Sequence, residues 1–197
     1  MNLKLKTVFL KAKQRGFTII ELIVVLSLIA VLAAVAAPRA AAMYIDAKVS
    51  PTAGDVVKAV TKIRANFQGQ GATPYTNLGA PAAATAVFAN TVRSLGSALT
   101  VNGAGATATT SHEIGATGSL VAVAQATIVT AGDSFTVTFP TVNHAACPTL
   151  AAQMARAAEI ISINATDVKT VALPYNGGTA QNLCNNGDVN AFVFTFR

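Results

Sequence analysis

The feature that most constrains this 197-residue chain is an apolar run near its start, Phe17 to Ala37, whose only polar side chains are Thr18, Glu21 and Ser27. A helix of about 20 residues at ~1.5 Å rise per residue spans the ~30 Å hydrocarbon core of a bilayer, so this segment can cross a membrane. Residues 1–15 hold Lys4, Lys6, Lys11, Lys13 and Arg15 and no acid. A basic flank of that kind stays on the cytoplasmic side, and the N-terminus is expected to face inward. Within the run Glu21 stands alone, and a charged side chain inside a spanning segment costs roughly 2.5 kcal/mol or more on insertion scales. It calls for a cation that the run does not supply.

Three readings compete. A secretory signal peptide would be cut at Ala34-Val35-Ala36 or Ala40-Ala41-Ala42, but its apolar core is normally about 7 to 15 residues, and this one is longer and carries Glu21. An ordinary anchor on an unrelated periplasmic domain would leave Glu21 near the interface by chance. The third reading rests on the residues themselves. Gly16-Phe17-Thr18-Ile19-Ile20-Glu21, with Leu22-Ile23-Val24-Val25-Leu26 after it and later Pro38, resembles the processing and assembly signal of type IV pilins and their relatives.

That resemblance implies a peptidase cut after Gly16 on the cytoplasmic face, N-methylation of the new N-terminal Phe17, and pairing of Glu21 with the free amine of a neighbouring subunit. It also implies four regions: residues 1–16 a cleaved leader, 17–38 a transmembrane and assembly helix, 39–68 its outer half, and 69–197 a globular α+β head. The physical logic holds without the family name. Cleavage creates an amine at a helix end, and a carboxylate buried in apolar surroundings needs one positive partner. A neighbour offset along the axis can repeat that pair indefinitely, because a head-to-tail contact that does not close propagates as a filament.

Charge supports the division. The chain has 14 Lys and Arg against 8 Asp and Glu, but five of the bases lie in the leader, and nine against eight remain once it is removed. Basicity of the precursor is therefore a poor argument for nucleic-acid binding by the mature chain. Lys58, Lys62 and Arg64 form the only tight basic cluster of that mature chain, read as the solvated face of a helix.

Along the chain, Val49, Ala53, Val56, Val60, Ile63 and Phe67 recur at steps of three and four, extending the first helix well beyond the membrane. Pro38 and Pro51 are expected to bend or loosen it. Gly69-Gln70-Gly71 and Pro74 end the pattern, Tyr75 to Ala80 read as loop, and a second helix lies within Pro81 to Leu95. Strands of undefined register are expected between Ala98 and Ala131. Clearer ones cover Ser134 to Phe139, Ile160 to Asn164, Val168 to Leu173 and Val189 to Phe196, where Phe192, Phe194 and Phe196 share a face. A helix is expected over Ala145 to Glu159. The segments Tyr75 to Ala131 and Pro174 to Asn182 are expected to be exposed surface. The fold class is α+β, an antiparallel sheet packed on the outer half of a long helix.

The only cysteines are Cys147 and Cys184. In an exported domain they are expected to pair, and closing that loop is worth about 4 kcal/mol in the chain-entropy treatment. Two thiols, or half of a metal site with His144 beside Cys147, is the competing reading, although zinc needs about four ligands. Catalytic patterns fail on inspection. Gly132-Asp133-Ser134 reads as a hairpin turn rather than a nucleophile block. Gly103-Ala104-Gly105 has no helix opening after it, His112-Glu113 and His144 pair with no identifiable nucleophile, and Asn164-Ala165-Thr166 reads as a strand connection. No enzyme, cofactor or metal is expected.

The segment from Cys147 through Ile161-Ser162-Ile163-Asn164 to Cys184 and the Phe-rich end is similar to the disulfide-bounded region of type IVb pilins. A sixteen-residue leader and long mature chain fit that subclass, whereas Phe17 after the cut is more usual in the other. The resemblance implies a major pilin held first in the bacterial inner membrane and then exported as a fibre. Its implied partners are itself, the prepilin peptidase and methyltransferase, a platform protein, an ATPase and a secretin. A pseudopilin of type II secretion, a minor pilin, or a membrane-anchored periplasmic binding protein that never polymerises are the alternatives.

Overall fold

The computed structural model describes residues 16–197; the leader bases fall outside that range. Helix α1, Ile19–Phe67, passes through Pro38, Pro51 and Gly54 without a break. Each proline removes one donor, and the remaining bonds of so long a helix carry it across. Two compact units divide at Arg39, and the second, Ala40–Arg197, is the head.

The outer stripe of α1 is the centre of the head. Val49, Ala53, Val56, Ala59, Val60 and Ile63 are all buried, as their three-and-four spacing requires. After α1 a 3₁₀ turn at Pro74–Leu78, expected to be plain loop, buries Tyr75 and Leu78. Helix α2, Pro81–Leu95, opens on proline and closes on left-handed Gly96. It sends Ala84, Phe88 and Val92 into the main core and packs Ala86 and Ala89 against Ala108. The expectation that residues 75–131 are exposed surface holds for much of the segment but not for α2, whose small alanines let it lie close on both sides.

Among the described residues seven strands form one antiparallel sheet in the order β1-β2-β3-β4-β7-β5-β6. Strands β1 (Thr100–Asn102), β2 (Thr109–Ser111), β3 (Leu120–Thr127) and β4 (Ala131–Asn143) precede helix α3 (Cys147–Met154), and β5 (Ile160–Ile163), β6 (Thr166–Lys169), α4 (Gly177–Leu183) and β7 (Asp188–Phe196) complete the chain. The last strand lies inside the sheet, pairing Val137 with Phe194 on one side and Ile161 with Phe194 on the other. Phe135, Phe139, Phe192, Phe194 and Phe196 are wholly buried. Their rings meet at 5.6 Å for Phe135 and Phe196 and 6.0 Å for Phe139 and Phe194.

Several boundaries differ from the sequence reading. Strand β4 extends past Phe139 through a register shift before Val142, where Pro140 has no donor and Thr141 adopts φ 53°. Helix α3 stops at Met154, because the Ala157 and Ala158 N–H groups turn back to the Met154 carbonyl and Glu159 donates to Thr195 of β7 at 2.8 Å. The sheet takes residues that a helical pattern would claim. Strand β6 starts earlier than expected and ends at Lys169, since the Val168 carbonyl accepts from Asn176 at 2.9 Å. Helix α4 occupies a segment read as exposed surface; Asn176 caps it by accepting from Thr179 at 3.0 Å, and Ala180 is buried. Its Gly177-Gly178 start hides the helix from propensity.

Candidate assembly site

Gly16, Phe17 and Thr18 precede the first helical turn. The Thr18 carbonyl accepts the Leu22 N–H at 3.1 Å, and its hydroxyl accepts the Glu21 N–H at 3.3 Å. Thr18 is thus the N-cap, with Glu21 at the third helical position. Sequence reasoning missed this role, although Thr-x-x-Glu is the pattern of a capping box. Among the described residues only half of that box is formed, since no bond returns from the Thr18 N–H to the carboxylate and no cation lies within ion-pair distance of Glu21. A carboxylate near a helix N-terminus is favoured by the dipole, yet it stays open to an outside donor. Ser27 is satisfied locally by donating to the Val24 carbonyl at 2.8 Å. Every large apolar side chain from Phe17 to Val35 is exposed, from 45% at Val25 to 80% at Ile19. The helix is long and apolar enough to cross a membrane.

In the head, polar groups serve to hold elements together. Asp55 on α1 accepts from Lys58 at 3.0 Å, from the Ser97 hydroxyl at 2.9 Å and from the Ala98 N–H at 2.7 Å. Burial alone would raise its pKa, but these donors outweigh burial and lower it. Lys62 donates to Ser94 and Arg64 lies over Phe196, while Lys58 and Lys62 stay exposed, so the cluster is a solvated face that also touches the head. Asp133 accepts from Ile128, Val129 and Thr130, and these bonds hold its carboxyl at about 2. The turn is residues 128–130 rather than Gly132-Asp133-Ser134; the aspartate fastens it from within β4. Gly132 sits at φ +80°, and a side chain there would collide with the Thr76 hydroxyl.

The two cysteines are joined, Cα to Cα 5.9 Å, linking the start of α3 to the end of α4. This excludes the reading of two free thiols. Lys169 donates to the Ala155 and Ala158 carbonyls at 2.8 and 2.5 Å, so β6 is fastened to the end of α3. Asn164, in the β5–β6 turn at φ 50°, donates to the Leu183 carbonyl and accepts from Ala191. Buried Asn190 bridges Val142 and Asn185. No spacing in the sequence announces these asparagines. His112 is buried against Phe139, its Nε2 donating to the Pro140 carbonyl at 2.8 Å, and Glu113 pairs with Lys48. None of these groups forms a nucleophile and base.

A capped apolar helix whose outer half is wrapped by an antiparallel sheet, with a disulfide closing the C-terminal region, is the architecture of a pilin. Two family profiles match: the prokaryotic N-terminal methylation motif over residues 11–37 and PilS N terminal over residues 50–197. The chain belongs to the PilS family and is a type IVb-like pilin precursor, a structural pilus subunit and not an enzyme. No curated protein matches it. Among solved structures, the type IVb pilin from Salmonella typhi is 17% identical, with 77% of this chain and 98% of that one covered and a TM-score of 0.54. TcpA, a type IV pilin from Vibrio cholerae El Tor, is 15% identical, covering 76% and 99% with a TM-score of 0.52. Both likenesses concern the fold.

Proposed function

We propose that the precursor is held in the inner membrane by residues 17–38 with its N-terminus in the cytoplasm, is cut after Gly16, and polymerises as Phe17-first subunits into a type IV pilus. The observation that carries this reading is the half-formed cap: Glu21 has its backbone satisfied by Thr18 and its carboxylate open, on a helix whose apolar surface its own chain leaves exposed. The Phe17 amine of a neighbour supplies the missing cation, and the apolar faces of neighbouring helices exclude water around the pair. N-methylation of Phe17 retains the positive charge. Lipid covers the helix before assembly and other copies cover it afterwards. The prepilin peptidase and methyltransferase, the platform protein, the ATPase and the secretin are the partners that this life cycle requires.

Mass spectrometry of the mature N-terminus tests it. The expected product begins at methylated Phe17, and a product beginning near Ala37, or an uncut leader on assembled protein, would overturn the reading.

A further inference from the structure

We propose that a cleft at the outer end of α1, framed by Arg64 and Arg197, receives the Asp46 carboxylate of a second copy of this chain. The contact rests on the polymer reading above and adds a charged joint between heads to the helix packing beneath them.

The cleft holds more positive charge than its own chain answers. Its volume is about 290 Å³, and Gln68 and Tyr75 line it with the two arginines and Asp133. The Arg64 guanidinium carbon stands 5.9 Å from the centre of the Phe196 ring, its Nε is buried without an acceptor, and among the described residues no carboxylate lies within ion-pair distance of it. Arg197 approaches Asp133 at 3.7 Å, but that carboxylate already accepts three backbone N–H groups, and the Arg197 side chain is 53% exposed. Two guanidinium groups thus face one occupied carboxylate. A forked arginine pair of this kind suits a carboxylate better than a neutral acceptor.

The complementary acid lies on the same helix. Glu113 is held by Lys48, Asp55 by Lys58, Asp167 by Ser162 and Asp188 by Asn143, while Glu159 has no side-chain partner but is half-buried in the turn between α3 and β5. Asp46 is exposed and has no side-chain partner among the described residues. It precedes Arg64 by about five turns, or about 27 Å, and at 3.6 residues per turn the two fall on one line of α1. At Arg64 that line is covered by Phe196 of the same chain; at Asp46 it is bare. Opposite charges therefore sit at opposite ends of one head. Joining the acid of one copy to the cleft of the next is a heterologous contact that does not close on itself, so it repeats along a fibre.

Fibres assembled from full-length Asp46→Cys, Gln68→Cys protein, oxidised and then dissociated, should give a ladder of linked subunits extending beyond dimers, while each single substitution gives none. Fibres that yield only monomers would overturn the contact and leave polymerisation standing. Should the cysteine pair block assembly, charge exchange decides: Asp46→Arg alone is expected to lower fibre yield at least about threefold, and adding Arg64→Asp to recover it. Failure of the exchange to recover yield refutes the pairing. Absence of fibres from the unaltered chain would instead remove the polymer reading and this contact with it.

Discussion

Helix α1 carries two apolar stretches that meet opposite surroundings. From Phe17 to Val35 every large apolar side chain is exposed, whereas Val49, Val56, Ala59 and Ile63 are wholly buried. Both stretches are rich in Val, Ile and Ala, so hydrophobicity alone does not place a residue in the core. What differs is the periodicity. The outer stretch confines its apolar residues to one stripe that a single sheet can cover, while the inner stretch is apolar all round and no single face of its own chain can serve it. The outer half is answered by its own chain, and the inner half is left exposed by it.

The sharpest way to break that contrast is at Glu21, the one acid on the uncovered half. Glu21→Ala is expected to be inserted and processed as usual while fibre yield falls to near zero. Normal fibres by electron microscopy would refute the amine-pairing role. Next in size is a matched pair of truncations. Ile63→Ala should destabilise the head by about 2–5 kcal/mol through the cavity it leaves, and Ile23→Ala should leave head unfolding within about 0.5 kcal/mol of the parent. Denaturant unfolding of the full chain in detergent measures both, and equal losses would erase the distinction between the two halves.

The smallest effect concerns pH within the covered half. Burial lowers the pKa of His112 below its ordinary 6.5, and the hydrogen bond to the Pro140 carbonyl only partly offsets this. The folded head thus binds the proton less readily than the unfolded chain does, so stability is whole above pH 6.5 and declines as the pH falls below it. The groups facing His112 are Phe139 and the Pro140 carbonyl, with the Lys48–Glu113 pair nearby on the neighbouring positions. Thermal unfolding between about pH 7 and pH 5 should show the decline in the parent and a flatter profile in His112→Gln. Parallel profiles would assign the pH dependence elsewhere.

Legibility tracks the range of the interactions involved. The stripe on α1, the proline start of α2 and the alternating Phe192, Phe194 and Phe196 are local patterns, and each is readable because period and face are properties of neighbouring residues. The pairing of Cys147 with Cys184 comes from export and number. Strand β6 and helices α3 and α4 escape a sequence reading at their limits because contacts from far along the chain set them. Thr195 claims Glu159, and Asn176 claims the Val168 carbonyl. The Asp133 fastening and the Asn164 and Asn190 bridges are hidden for the same reason. Thr18 is different, since its capping pattern is present in the sequence and local enough to read.

The sequence by itself determined the membrane-length run, the lone acid within it, the junction at Gly16 and Phe17, and the amphipathic outer half of α1, because length, charge and period need no knowledge of distant residues. Tertiary structure alone decided that the last strand enters the middle of the sheet between β4 and β5, and that a cationic cleft forms where Arg64 meets Phe196 and Arg197. Antiparallel strands of similar composition can be ordered in many ways, and only the packing of five phenylalanines against one helical stripe selects among them.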